Sequence, residues 1–307
     1  MSTILLATSK PFAPNAVELI RKVTEDAGHQ LNLIESYTDK GDLISAVKNA
    51  DALIIRSDII DAEIMDAAAD LKIIVRAGAG YDNVDLEAAS ERDICVMNTP
   101  GQNANAVAEL VIGFMIFQSR NQFNGTSGTE LKGKTIGIVG FGNIGRLVAE
   151  AAKGLGMIAM AYDAFISAEE IEKHGVKAAK DLNAIFSECN YVSLHIPAVS
   201  DTKGSIDFEL LSLMPKKAVL INTARQEVVD ELSLVKMLDE RPDFRFVSDF
   251  MPKEQTLLKD DYKGRWFAPV KKMGAQTAEA NVNAGVAAAH QIAKFLESGD
   301  RTFQVNK

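Results

Sequence analysis

Gly133-Lys-Thr-Ile-Gly-Ile-Val-Gly-Phe-Gly-Asn-Ile-Gly-Arg146 is the stretch on which the fold turns. Thr135 to Val139 is a short, largely β-branched run, suited to a strand buried on both faces. It leads into Gly140-Phe-Gly142-Asn143-Ile144-Gly145, a GxGxxG spacing at a strand-to-helix junction, and Leu147 to Ala152 has helical composition. At such a junction the first glycine makes a tight turn and the second lets backbone N–H groups approach a pyrophosphate. The third lets the helix pack closely on the strand. A second apolar run, Met157 to Asp163, ends in a carboxylate 18 residues beyond Gly145. An acid there accepts from an adenosine ribose 2′-hydroxyl and repels a 2′-phosphate, and no arginine follows closely to relieve it. Strand, glycines, helix, second strand and acid together predict an NAD-binding Rossmann unit. Gly140, Gly142, Asn143, Ile144, Gly145 and Asp163 are its cofactor-binding candidates.

The 307-residue chain is long enough for two domains with separate cores. Its 47% hydrophobic and 24% charged content is that of a soluble globular protein. A net charge of −9 argues against nucleic acid or an anionic membrane as the main partner. An anionic substrate would have to be met by a few placed cations and backbone dipoles. No basic-then-apolar leader pattern opens the sequence and no apolar run approaches membrane-spanning length, so a cytoplasmic protein is expected. Cys95 and Cys189 stand far apart with no ligand spacing around them. They read as buried thiols, and no metal site is expected.

Upstream of the glycine motif, apolar runs alternate with helical ones: a strand at 3–7, a helix over 15–27, a strand at 30–35 and a short helix over 42–49. A strand at 52–56 delivers Arg56 and Ser57 at its carboxyl end. After a helix over 61–69, the strand 71–75 runs into the glycine-rich turn Arg76-Ala77-Gly78-Ala79-Gly80, and a strand over 94–97 closes the array. This rhythm predicts a flavodoxin-like parallel sheet. A helix over 103–118 is apolar nearly all round, so it is buried between elements or in a subunit interface. Downstream, strands are expected at 191–195, 218–222 and 244–248. The final helix, 278–298, is too long to serve one small domain and is expected to cross back to the first. The predicted fold is α/β, with two Rossmann-type domains. A discontinuous substrate-binding domain comprises 1–98 and 279–307, and the NAD-binding domain spans 99–278.

These stretches resemble the D-isomer-specific 2-hydroxyacid dehydrogenases. The resemblance rests on Arg76 to Asp85, Asn98-Thr-Pro-Gly101 with Val107-Ala-Glu109, Lys134 to Gly145, His195-Ile-Pro197, Leu220 to Arg225, and Gly274-Ala-Gln-Thr277. It covers almost the whole chain in the family's order and is strongest to short members acting on a phosphorylated hydroxy acid. It implies hydride transfer from C2 of a D-2-hydroxy acid to NAD, in a homodimer joined through the cofactor domain. Such chemistry needs a cation on the 2-oxygen, a base for the hydroxyl proton and a carboxylate to orient that base. Arg225 matches the family's arginine and Glu254 its glutamate. Asp249 matches the carboxylate that holds the nicotinamide amide. His195 and Pro197 match the cofactor-side wall, and Thr223, Ala224 and Gly274 fall in its cofactor-binding segments. Ala77, Gly78, Ala79 and Gly80 would offer N–H groups to the substrate carboxylate. Arg56, with Ser57 beside it, matches a substrate-contacting arginine, and Lys10 is a second candidate for a phosphate.

The chain departs from the family at the base. Where the family usually has Pro-His-Ile-Gly-Ala-Ser-Thr, this sequence reads Pro269-Val-Lys-Lys272-Met-Gly-Ala-Gln-Thr277, placing Lys272 at the histidine's position. An ordinary lysine titrates near ~10.4 and is an acid at neutral pH. It suits ketoacid reduction directly and must first lose a proton to serve oxidation. The expected function is therefore NAD-dependent oxidation of a phosphorylated D-2-hydroxy acid through Arg225, Glu254 and Lys272. The alternatives are an enzyme for an unphosphorylated acid such as glycerate or hydroxypyruvate, or an NAD-sensing interaction protein on the same fold.

Overall fold

The computed structural model describes residues 1–254 and 262–306. The chain divides into two compact units: Met1–Asn103 with Thr277–Lys307, and Ala104–Gln276. The breaks lie a few residues from the expected 98/99 and 278/279, because the apolar helix begins at Ala104 and Thr277 belongs with the final helix it caps.

The first unit holds a five-stranded parallel sheet of β1 (Thr3–Thr8), β2 (Gln30–Glu35), β3 (Ala52–Ile55), β4 (Ile73–Arg76) and β5 (Cys95–Asn98). Its order is β2-β1-β3-β4-β5, the flavodoxin-type arrangement. On one face Ile4, Leu6, Ile54, Ile73 and Val75 meet Ile20 of the helix Pro14–Asp26 and Ala284, Ala288 and Ile292 of the helix Ala278–Ser298. The two helices approach closely at Gly285, where a Cβ would lie 2.7 Å from Ile20 Cδ1. On the other face Leu53, Ile55 and Ile74 meet Leu43, Val47, Ile64 and Ala89. Aspartates set the helix starts: Asp39 accepts from Gly41 N–H, so the helix expected over 42–49 runs Lys40–Val47 instead. Thr277 caps the last helix through Ala280 N–H, and Gly299 ends it at φ +72°. Residues beyond it return to β5, where Val305 N–H donates to Val96 O and Asn306 Oδ1 accepts from Val96 N–H.

The second unit holds a seven-stranded parallel sheet of β6 (Thr135–Val139), β7 (Ile158–Tyr162), β8 (Lys177–Ala178), β9 (Tyr191–Leu194), β10 (Val219–Asn222), β11 (Arg245–Ser248) and β12 (Trp266–Phe267). The order is β12-β11-β10-β9-β6-β7-β8, with the reversal of direction falling between β6 and β9. The apolar helix runs Ala104–Ser119. Its Val111, Phe114 and Met115 pack with Val148, Ala149 and Ala152 of the helix Asn143–Gly154, so much of its apolar surface is covered within one chain. Ile116 stays exposed. Both cysteines are free and buried. Among the described residues, no helix is long and apolar enough to cross a membrane.

Candidate active site

In open parallel sheets, ligands gather at the carboxyl ends of the strands, beside the point where strand order reverses. In the second unit every candidate residue follows such an end. Lys272 follows β12, Asp249 and Glu254 follow β11, Arg225 follows β10, and His195 follows β9. The glycine motif follows β6 and Asp163 follows β7.

Gly140 turns at φ +92°, and a Cβ there would sit 2.9 Å from His195 O. At Gly145 a Cβ would meet Gly140 O at 2.2 Å, so that position too excludes a side chain. Gly142 differs, since a Cβ there would enter open space. Gly142 is also the N-cap of the helix Asn143–Gly154, and no side chain caps it. Open space above uncapped N–H groups at a helix start is the cradle a pyrophosphate needs. Asp163 accepts from Phe141 N–H at 2.7 Å through Oδ2, and from Phe165 and Ile166 N–H at 2.8 and 3.1 Å through Oδ1. A carboxylate has about four acceptor sites, so one remains for a ribose hydroxyl. The residues fit a dinucleotide.

His195 Nε2 lies 3.0 Å from Ser193 Oγ, while Nδ1 is buried with no partner. Burial drives its pKa down to about 3, so the ring is neutral near pH 7. Next to it, Pro197 O accepts from Thr202 Oγ1 at 2.5 Å. Thr223 is buried with an unpartnered hydroxyl, and Ala224 N–H donates to Asn222 Oδ1 at 3.0 Å.

Arg225 is half-buried at the start of the 3-10 turn Gln226–Val228, with its carbonyl accepting from Asn222 Nδ2 at 2.9 Å. Glu254 N–H donates to Glu231 Oε2 at 2.6 Å, while Glu231 Oε1 accepts from Lys253 N–H at 3.2 Å and Gln226 Nε2 at 2.6 Å. One carboxylate thus ties the segment carrying Glu254 to the turn that follows Arg225. Asp249, fully buried, accepts from Met273 N–H at 2.8 Å and from Gly274 N–H at 2.9 and 3.0 Å. Burial raises its pKa, and the two N–H donors and the nearby Lys272 charge oppose that rise. It therefore anchors the residues directly after Lys272, whose exposed ammonium lies 5.7 Å from the centre of the Phe250 ring.

In the first unit, Arg56 follows β3 and is half-buried, and burial lowers its pKa. Its guanidinium lies 5.0 Å from the Phe12 ring centre and donates to Lys10 O, Pro11 O and Asn281 Oδ1, the last at 2.5 Å. Lys10 and Ser57 are exposed. The expectation of four N–H donors in the turn after β4 needs correction. Ala77 N–H already donates to Ile55 O at 2.7 Å and Gly78 N–H to Arg76 O at 2.9 Å, leaving Ala79 and Gly80. Gly78 is at φ +152°, and a Cβ there would strike the Arg76 guanidinium.

Two organising carboxylates escaped the sequence reading. Glu231 is one. Asp58 is the other: it is buried and holds Ser9 N–H at 2.7 Å and the Tyr37 hydroxyl at 2.6 Å. Each acts on a segment more than twenty residues away, and no local spacing signals that.

The family model for the NAD binding domain of D-isomer specific 2-hydroxyacid dehydrogenases matches residues 106–270. The chain is 33% identical over 312 residues to a D-3-phosphoglycerate dehydrogenase of Methanocaldococcus jannaschii, covering 95% of this chain and 57% of that protein. It thus spans little more than half the length of that relative. It is 31% identical to a hydroxypyruvate reductase of Thermotoga maritima, covering 96% of this chain and 99% of that one. The crystal structure of an NAD+-bound 3-phosphoglycerate dehydrogenase from Entamoeba histolytica is similar with a TM-score of 0.90 and 47% identity, over 100% of this chain and 99% of that one. The chain belongs to the D-isomer-specific 2-hydroxyacid dehydrogenase family, and residues 106–270 are its NAD-binding domain.

Proposed function

We propose that the chain catalyses NAD-dependent oxidation of D-3-phosphoglycerate to 3-phosphohydroxypyruvate, a step toward serine. The observation that carries this reading is the succession of Lys272, Glu254 and Arg225 after the adjacent strands β12, β11 and β10, at the same sheet edge as the glycine motif. Bound at that motif, NAD supplies the hydride acceptor. Arg225 holds and polarises the oxygen on C2. Lys272 Nζ, as the neutral amine, takes the hydroxyl proton in oxidation, and as the ammonium it returns one in reduction. Glu254 orients Lys272. Arg56 and Lys10 meet the phosphate, and Ala79 and Gly80 N–H meet the substrate carboxylate.

NADH formation from D-3-phosphoglycerate, with D-glycerate and D-lactate alongside, tests this. Losing one hydrogen bond to a charged group costs about 1.5–3 kcal/mol, so Arg56→Ala should raise KM for the phosphorylated acid roughly 10- to 150-fold. Equal kcat/KM for D-glycerate would defeat the reading. A glycerate or hydroxypyruvate enzyme is the second reading, favoured by the engagement of the Arg56 guanidinium with Lys10 O, Pro11 O and Asn281. In that case Arg56→Ala leaves KM unchanged.

A further inference from the structure

The amino edge of the seven-stranded sheet, opposite the glycine motif, carries a cavity of about 470 Å³. That is the size of ordinary small-ligand sites. Its charge is one-sided. Lys134, Lys216, Lys217, Arg245 and Arg265 line it, and among the described lining residues the acid is Asp243. Asp243 is already paired with Arg241 at 2.9 Å and also accepts from Lys217 N–H. Lys134, Lys216, Lys217 and Arg245 around one satisfied acid are a concentration of positive charge in a chain of net charge −9.

Three of these cations stand at strand starts, with Lys134 just before β6, Lys217 shortly before β10 and Arg245 opening β11, β9 lying between β6 and β10. Lys134 Nζ is held 2.6 Å from Thr129 Oγ1 and 5.9 Å from the Tyr191 ring centre. Burial and the neighbouring Lys217 charge both lower its pKa, as like charges sharing a space do. Arg245 is fixed by Gln118 O at 2.5 Å and Asn121 Oδ1 at 2.8 Å, neither of them an anion.

The second observation is Gln118. It lines the cavity, is 0% exposed, and neither Oε1 nor Nε2 has a hydrogen-bond partner. A buried amide with both ends unsatisfied is costly and uncommon, and it points to a group that completes it. A ligand meeting both ends must accept from Nε2 and donate to Oε1. An anion that also carries a hydroxyl does this, whereas a bare carboxylate only accepts.

We propose that this cavity binds a small hydroxylated phosphate, with Lys134, Lys217 and Arg245 meeting its charge and Gln118 its hydroxyl and one oxygen. Inorganic phosphate, which carries its own P–OH, and glycerol 3-phosphate are the probes. Each is titrated calorimetrically into NAD-saturated protein, so that the pyrophosphate cradle is filled. The titrations are run in wild type and in Arg56→Ala, which lacks the phosphate contact proposed for the other unit, and binding at this cavity should persist in Arg56→Ala. Lys134→Ala/Lys217→Ala should weaken binding at least about tenfold while leaving NAD affinity unchanged. Gln118→Met, close in volume, should also lose affinity without lowering the melting temperature of the unliganded protein, since it removes the unsatisfied amide. If the double variant does not fold, Lys217→Gln is titrated in its place and the same weakening is expected. The proposal is overturned if affinity survives these changes or if Arg56→Ala abolishes it, which assigns the phosphate to the other unit. It is also overturned if wild type gives no heat, whether the cavity is merely solvated or a second copy of the chain covers it.

Discussion

Substituting His195 by Gln isolates one proton in the stability of the second unit. Burial holds the His195 imidazole at about 3, whereas an unfolded histidine titrates near ~6.5. Its folded pKa is depressed, so below ~6.5 the unfolded chain takes up a proton that the folded chain refuses. The stability present above ~6.5 is then lost as pH falls toward 3. The linkage relation gives a loss of about 2 kcal/mol at about pH 5, against less than about 0.1 kcal/mol at about pH 7.5. The figure at pH 5 depends almost wholly on the unfolded pKa, since the folded ring is neutral there. His195→Gln keeps an amide nitrogen for Ser193 Oγ and removes the titration. Trp266, the chain's single tryptophan, sits on β12 and reports unfolding of this unit by fluorescence. Urea unfolding across pH 5 to 7.5 should show wild-type stability falling about 2 kcal/mol further than that of the variant over this range. Parallel profiles would refute a neutral, desolvated His195 ring.

Gly274→Ala places a Cβ 2.5 Å from Asp249 Oδ2, so the buried carboxylate must move about 0.9 Å to reach ordinary contact. One or more bonds to Met273 and Gly274 N–H are then lost, at about 1.5–3 kcal/mol each. A fall in melting temperature with a matching fall in kcat is expected, and an unchanged kcat would detach Asp249 from the placement of Lys272. Lys272→Ala should lower kcat on the order of 10²-fold or more with little change in NAD affinity. A rise in KM alone would reduce Lys272 to an electrostatic contact. Asp163→Ala should narrow the preference for NAD over NADP in kcat/KM, and equal wild-type values for the two cofactors would sink that reasoning. A homodimer joined through the second unit should sediment as a dimer at micromolar concentration. A monomer would leave Ile116 as ordinary exposed surface.

The α/β class, the glycine motif and the nicotinamide cofactor were legible because each has a local signature. β-branched runs mark the strands, glycine spacing marks the turn, and the acid at Asp163 sits at a fixed offset. The structure adds that Asp163 also braces the motif through Phe141 N–H. The turn after β4 was misread in part, since sequence cannot say which N–H groups the backbone already engages, as it does those of Ala77 and Gly78. Helix limits shifted where an aspartate cap decides them, as Asp39 does. The anchors Glu231, Asp249 and Asp58 work through backbone groups distant in sequence, and in the sequence they look the same as acids placed for solvation alone. Two-residue β12 is too short for alternation to show.

The division of the first unit bears on how the protein is made. Residues 1–103 leave the ribosome without the helix Ala278–Ser298 that covers one face of their sheet. The intervening segment takes roughly 10–35 s to translate at ordinary elongation rates. During that interval Ile4, Leu6, Ile54, Ile73 and Val75 have an apolar side to shield, and β5 lacks its bonds to Val305 and Asn306. The second unit is contiguous and can complete its sheet without waiting. Nascent chains stalled near residue 276 should therefore recruit holdase chaperones through the first unit. Changes in the returning helix, such as Gly285→Val against Ile20, should depress soluble yield by prolonging that dependence.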